Sequence, residues 1–305
     1  MNNKKFANVA IDIGNITSIG ISNEKEVIIE SRIKEYNGGI DDLTSHEIFE
    51  FDSKKYIINE GKFEFDILKF KKDNYLMLLY YCIAKCTDSN NINLVTCIPA
   101  SRYKSRKDEM KEFIKSNSKK TVVIDGKKRT INIENIEIFP EGYAFKTDKN
   151  IMNKISKNAD TTFIDLGGLT NDIVEFDSDM RLKNANSINI GLLTLYNSVK
   201  EYINITYDLD LSIEECKAIF NNEQTLLVDS KFEYKNQLVK RFIVNLINEI
   251  KAVCPNLKNS NIFCLGGGAD IISPTMKKLY PQTQVINDIK LQTRCLLNIA
   301  NKIFK

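Results

Sequence analysis

Twice along this 305-residue chain an apolar run ends in Asp-x-Gly and a second apolar run follows at once: "IDIGNITS" at 11–18 and "FIDLGGLTND" at 163–172. Each predicts a strand that carries an aspartate to its C-terminal edge, a tight glycine turn and a returning strand. Gly14 permits the turn and lets backbone N–H groups approach an anion, with Asn15, Thr17 and Ser18 as further donors. Such a nest of N–H groups suits phosphate, and a neighbouring carboxylate suits a hydrated Mg2+. Alone, Asp12-Ile-Gly14 reads more readily as an ordinary hairpin turn. The second loop repeats the plan around Asp165 and Gly167 and adds Gly168, Thr170 and Asp172.

A third feature follows in "CLGGGAD" at 264–270, where Gly266, Gly267 and Gly268 separate an apolar strand from a helix start. Glycines there allow a backbone to approach a flat or charged ligand closely. That segment too could be only a tight strand–helix turn, but the three features in this order are not an accident of composition.

The rest of the chain alternates strands and helices. Strands are expected at 6–14, 16–22 and 26–33, with shorter ones at 47–51 and 55–58, a helix over 74–87, and a strand over 93–99 closed by Pro99. Ser101 is expected to cap a basic amphipathic helix from about 102 to 116, and 121–133 to form a hairpin turning at Asp125–Gly126. The three-strand plan then restarts at 161–168, 170–177 and 187–191, followed by a helix after Gly191, a helix at 212–221 capped by Ser212, a long helix at 235–254 and a terminal helix. The restart indicates duplication of one α/β unit. The expected domains are 1–150, with the helix at 289–305 packing back on it, and 151–288.

Composition excludes several classes. With 43% hydrophobic and 27% charged residues, there is apolar material for a core and no signature of disorder. A net charge of +3 is far below that of a dedicated nucleic-acid binder. The most apolar helical run, "YLMLLYYCIAKC", is too short to span a bilayer, and the start lacks a signal-peptide pattern, so a cytoplasmic protein without membrane contact is expected. The seven cysteines lie in apolar contexts and read as buried thiols; Cys82 and Cys86 lack the second Cys/His pair of a metal site. His46 is assigned no chemistry. Arg102, Lys104, Arg106 and Lys107 are interleaved with Asp108, Glu109 and Glu112, and read as a solvated helix face before a filament or DNA contact. There is no Gly-x4-Gly-Lys and no Gly-x-Gly-x-x-Gly, against P-loop and Rossmann alternatives.

The order of the three motifs resembles that of the actin, Hsp70 and sugar-kinase ATPase superfamily: Asp12-Ile-Gly14-Asn15, Asp165-Leu-Gly167-Gly168-Leu-Thr170-Asn-Asp172, and Gly266-Gly267-Gly268-Ala269-Asp270. Within it, "VTCIPASRYKSRKDEMKEF", "IFPEGYAF" and "NIGLLTLYNSV" are similar to segments of the bacterial actin-like plasmid-segregation ATPases, the ParM-like group. So is the short gap between the second and third motifs.

This resemblance implies an α/β fold of two related actin-like (ribonuclease-H-like) lobes with a nucleotide cleft between them. It implies ATP, with GTP as the alternative, and Mg2+ held through water by Asp12 and Asp165. Glu141 would position the attacking water. Gly14, Asn15, Ile16, Gly167, Gly168, Leu169 and Thr170 would clasp phosphates; Gly191, Gly266, Gly267, Gly268 and Ala269 would abut the rest of the nucleotide, and Glu215 would touch ribose or base. Glu141 also has an argument of its own, since it follows Pro140 at the end of a strand region. The implied function is an ATP-hydrolysing filament for plasmid segregation, whose partners are further copies of itself and a DNA-binding adaptor of the ParR type, with no direct nucleic-acid contact. Many actins carry a lysine seven positions after the first aspartate; here that position is Ile19. A small-molecule kinase of the same superfamily is the alternative, and a non-enzymatic scaffold the third.

Overall fold

The computed structural model describes residues 6–36, 38, 47–224 and 234–305. His46 lies outside them. The chain forms two compact units, Met1–Ile155 with Ile289–Lys305, and Ser156–Asp288.

The first unit contains strands β1 (Phe6–Ile13), β2 (Thr17–Ser22), β3 (Glu26–Glu30), β4 (Arg32–Glu35), β5 (Ile48–Phe51) and β6 (Lys54–Phe63), then helix α1 (Tyr75–Cys86), β7 (Asn91–Ile98), α2 (Tyr103–Ser116), β8 (Lys119–Ile124), β9 (Lys127–Pro140) and the short α3 (Lys149–Met152). The nine strands form one sheet in the order β3-β2-β1-β7-β9-β8-β5-β6-β4. Side chains alternate across β1, and this decides what each face meets. Val9, Ile11 and Ile13 join the core with Leu78, Leu79 and Cys82 of α1. Asn8 and Asp12, on the other face, bond to Asn301 and Gln292 of the C-terminal helix. Gly20 is where β2 meets α1 most closely, since a Cβ there would lie 2.8 Å from Cys86 Sγ.

The second unit contains β10 (Asp160–Leu166), β11 (Asn171–Phe176), β12 (Leu182–Ile188), α4 (Leu192–Tyr207), α5 (Ile213–Phe220), α6 (Lys235–Val253), β13 (Ser260–Leu265), α7 (Ala269–Leu279) and β14 (Thr283–Val285); the chain then returns to the first unit as α8 (Leu291–Ile303). Its sheet runs β12-β11-β10-β13-β14. The pairings along that order are antiparallel, antiparallel, parallel, parallel. The run β3-β2-β1-β7-β9 of the first unit repeats them. The duplication expected from the two Asp-x-Gly loops is therefore present in strand order and direction.

Two local expectations need correction. Ser101 does not cap a helix: Pro99 leads into a 3-10 turn at Ala100–Arg102, and α2 starts at Tyr103 with no side-chain cap. The strand expected at 26–33 breaks at Ser31, whose hydroxyl meets that of Ser18 at 2.7 Å in the interior. After Pro140 and Glu141 the chain enters a 3-10 turn at Tyr143–Thr147 behind Gly142, which takes a left-handed φ of 82°. The hairpin turn at Asp125–Gly126 is as expected, with φ of 51° and 72°, the double left-handed pair a two-residue hairpin needs. None of the seven cysteines is in a disulfide, and all are buried. Among the described residues no helix is long and apolar enough to cross a membrane.

Candidate active site

In the first unit β1 carries Asp12 to its C-terminal end, where the chain turns through Gly14. The Gly14 N–H donates to Thr17 O at 3.0 Å. A Cβ at Gly14 would lie 2.3 Å from that same oxygen, so the turn admits no side chain. The N–H groups of Asn15 and Ile16 have no acceptor among the described residues. Two successive free donors beside a carboxylate form the anion nest that the sequence pattern implied. The loop is braced from the segment before α1: Asn15 Oδ1 accepts from the Asp66 N–H at 3.3 Å, and Lys72 Nζ donates to Gly14 O at 3.0 Å. Burial, with help from neighbouring Lys69, pushes the Lys72 ammonium down to a pKa of about 7.

Glu141 is 5% exposed and follows β9, its N–H donating to Ile98 O at 2.9 Å. Its carboxylate accepts from Lys69 Nζ at 2.7 Å, and the same ammonium stands 3.8 Å from Asp12 Oδ1. Burial works to lower the Lys69 pKa, but Glu141 and Asp12 outweigh it and hold the value well above the ordinary one. Gln292 of α8 fastens the arrangement: its Oε1 accepts from the Gly142 N–H at 2.8 Å and its Nε2 points to Asp12 Oδ2 at 3.5 Å.

The ligand atoms of Asp12, Cys97 and Glu141 lie within 4.8 Å of one another. Two carboxylates are hard oxygen donors of the kind Mg2+ takes. Cys97 is not: burial first, then Asp12 and Glu141, push its thiol well above the ordinary range. The carboxylate pair fits a hydrated divalent ion, and Cys97 is its neighbour rather than a ligand.

The second unit repeats the loop. Asp165 sits opposite Asp172 in the β10–β11 ladder, as Asp12 sits opposite Ile19 in β1–β2. The Gly167 N–H donates to Thr170 O at 3.2 Å, the counterpart of the Gly14–Thr17 bond, and a Cβ at Gly167 would stand 2.7 Å from that oxygen. The N–H groups of Gly168 and Leu169 have no acceptor among the described residues. Thr170 Oγ1 donates to Asp172 Oδ2 at 3.2 Å, and Ser187 Oγ to Asp172 Oδ1 at 2.6 Å.

Behind this loop, the carbonyls of Gly167 and Gly168 accept from Leu192 and Leu193 at the start of α4. A Cβ at Gly191 would lie 2.2 Å from Gly168 O, which makes Gly191 a packing glycine for the loop. The glycine triplet emerges from β13, beside β10 in parallel register with Asp165 opposite Leu265. Gly266 has a φ of 82°, and a Cβ there would meet Asp165 Oδ1 at 2.5 Å. Gly268 packs against Leu192, Gly267 is exposed, and Ala269 begins α7.

The structure thus brings Asp12, Gly14, Asn15, Ile16 and Glu141 together in one unit, and Asp165, Gly167, Gly168, Leu169, Thr170, Gly191, Gly266, Gly267, Gly268 and Ala269 together in the other. Glu215 is different: its Oε2 accepts from the Ser212 N–H and Oγ, both at 2.8 Å, closing a capping box on α5. Sequence reasoning missed Lys69, Lys72 and Gln292. The lysines lie in "KFKKD", which reads as a solvated basic run, and Gln292 is 280 positions from the aspartate it faces.

Comparison with known proteins bears on the fold. Residues 10–143 match the family model for the N-terminal domain of actin-like proteins. A non-polymerisable quadruple mutant of the pCBH ParM superposes with a TM-score of 0.84 at 19% identity, covering 98% of this chain and 100% of that one. This chain has the actin-like fold. The resemblance to the ParM-like group is borne out at the level of the fold. A 15-stranded ParM filament from Clostridium botulinum gives a TM-score of 0.82 at 18% identity, covering 98% of this actin-like chain and 100% of the other. The archaeal actin homologue Ta0583 in complex with ADP gives 0.77 at 16% identity, covering 96% and 98%. No curated protein matches by sequence.

Proposed function

We propose that this chain is a Mg2+-dependent ATPase that assembles into filaments. The observation that carries the reading is the matched pair of loops: in each unit an aspartate stands at the end of a strand, a glycine closes a turn, and two successive N–H groups have no acceptor among the described residues. Free N–H pairs beside a carboxylate suit a phosphate accompanied by a metal ion.

In this reading Asn15, Ile16, Gly168 and Leu169 donate to phosphate oxygens from their N–H groups, and Thr170 adds a hydroxyl. Asp12 and Asp165 would hold Mg2+ through water, which would supply positive charge for the phosphates. Glu141 orients a water for in-line attack, a reaction that proceeds through positioning and electrostatics rather than covalent chemistry. Gly266 and Gly267 would leave the nucleotide side of the second unit free of side chains, and Gly191, Gly268 and Ala269, packed behind them, would support that surface. Glu215 has no part in this, its carboxylate being engaged with Ser212. ATP is the assigned nucleotide and GTP the competitor to be tested.

The filament reading is supported by the ParM filament among the structural relatives. Plasmid segregation in the cytoplasm, with a DNA-binding adaptor of the ParR type as partner, is the finer assignment and follows the resemblance to the ParM-like group. Calorimetric titration with ATP, GTP and ADP, with Mg2+ and with EDTA, tests the site. Light scattering and pelleting at roughly tens of micromolar protein test assembly, since weak subunit contacts form in that range. ATP-dependent pelleting is expected; nucleotide binding with no polymer would leave the ATPase and remove the filament.

A further inference from the structure

The first phosphate loop carries no cation of its own. Ile19 faces Asp12 across the β1–β2 hairpin, where many actins have a lysine. Positive charge arrives from the 3-10 turn Lys69–Lys71 instead. Lys69 Nζ lies 2.7 Å from Glu141 Oε1 and 3.8 Å from Asp12 Oδ1, and the three side chains are only 11%, 7% and 20% exposed. Two carboxylates withdrawn from water at this spacing repel each other and need a counter-charge. One ammonium supplies it to both. Asp12 is also the carboxylate that would hold hydrated Mg2+, and Glu141 the one that would hold the attacking water, so each must give up Lys69 to take its new partner.

We propose that Lys69 is the resident cation of the Asp12–Glu141 pair in the nucleotide-free protein, and that Mg2+ with its nucleotide displaces it. This rests on the Mg-nucleotide reading above. Lys69 is then a positioning residue: it holds Glu141 and Asp12 in place while the site waits and leaves them to the metal and the water when the site fills. The displacement has a mechanical consequence. The segment bearing Lys69 also supplies Lys71, paired with Glu109 of α2, Lys72, bonded to Gly14 O, and Asp66, bonded to Asn15. Exchange of one cation for another at Asp12 therefore pulls on a strap joined to the phosphate loop and to the exposed face of α2.

The test uses nucleotide-free full-length protein and Mg2+ alone as the probe. Melting temperatures of wild type, Lys69→Met, Glu141→Gln and the double variant are compared in EDTA and in millimolar Mg2+. Lys69→Met should melt lower than wild type in EDTA, by about 3 °C or more. Adding Glu141→Gln should restore at least half of that loss, because the stranded carboxylate is gone. Mg2+ should raise the melting point of Lys69→Met and leave wild type within about 1 °C, since only the variant offers the carboxylate pair. A Lys69→Met protein that melts like wild type and ignores Mg2+ overturns the proposal. So does a double variant no more stable than Lys69→Met. If Lys69→Met does not fold, recovery of folding in the double variant supports the counter-ion role, and failure of both variants overturns it. Absence of ATP turnover in wild type with the cycle intact would sink the ATPase reading alone; turnover with a flat cycle would sink the Lys69 proposal alone.

Discussion

Lys72 Nζ donates to the carbonyl of Gly14 across 3.0 Å, so a buried ammonium braces the turn that shapes the first anion nest. Its pKa is depressed from 10.5 to about 7, chiefly by burial. The folded state therefore binds fewer protons than the unfolded state between these values, and stability must rise with pH across that window. The penalty is fully present below about pH 7 and relieved as pH climbs towards 10.5. Denaturant titrations of wild type and Lys72→Met should show the wild type gaining on the variant by about 1 kcal/mol per pH unit above pH 7. Parallel curves would mean that Lys72 is solvated.

Two left-handed glycines differ only in their neighbours, and that difference is measurable. Gly126 has a φ of 72° with nothing within 4 Å of an added Cβ, whereas Gly266 has a φ of 82° and Asp165 Oδ1 at 2.5 Å. Gly126→Ala should cost about 1 kcal/mol of stability, the strain of the left-handed region alone, and leave nucleotide affinity unchanged. Gly266→Ala should cost more and weaken ATP binding at least about tenfold by pushing the Asp165 carboxylate aside, a loss of about 1.4 kcal/mol. Equal effects of the two variants on ATP binding in calorimetry would contradict the placement of the glycine triplet at the site.

Gly191→Ala probes the support behind the second loop. Its Cβ would lie 2.2 Å from Gly168 O, so the loop or α4 must shift. The expected cost is about 1–3 kcal/mol in denaturant melts, accompanied by weakened ATP binding. A stable variant with normal affinity would show that the loop tolerates the displacement.

The α5 capping box separates two readings of Glu215. Glu215→Ala should lower stability by about 0.5–1 kcal/mol and Ser212→Ala by about the same, with nucleotide affinity within twofold of wild type in both. A large affinity loss confined to Glu215→Ala would return that carboxylate to the nucleotide.

The parts of the site legible in the sequence are those where backbone geometry leaves a residue no choice. Gly14 and Gly167 close turns that a Cβ would block, and Gly266 adopts a φ that other residues avoid, so they appear as glycines beside aspartates and strands. Glu141 was legible because a strand ends just before it. Lys69, Lys72 and Gln292 were not, because their roles come from tertiary placement rather than local conformation, and a lysine in a polar run carries no mark of burial. The same limit explains Ser101, a good capping residue by type that stands inside a 3-10 turn because Pro99 redirects the chain. In the fold, the repeated three-strand opening was readable from its turns. The extension of β6 to Phe63 was not, since Asn59 and Gly61 take left-handed φ values of 69° and 85° within it and read as strand breakers.

In the proposed reading Asp12, Glu141 and the two loops hydrolyse ATP. Its most direct test is Mg2+-dependent phosphate release by wild type and Glu141→Ala, with ATP affinity measured on the same preparations. Wild type should turn over ATP, and Glu141→Ala should lose about 100-fold or more of that rate while ATP still binds. Unchanged turnover in that variant, or a wild type that binds no nucleotide in Mg2+, would contradict it.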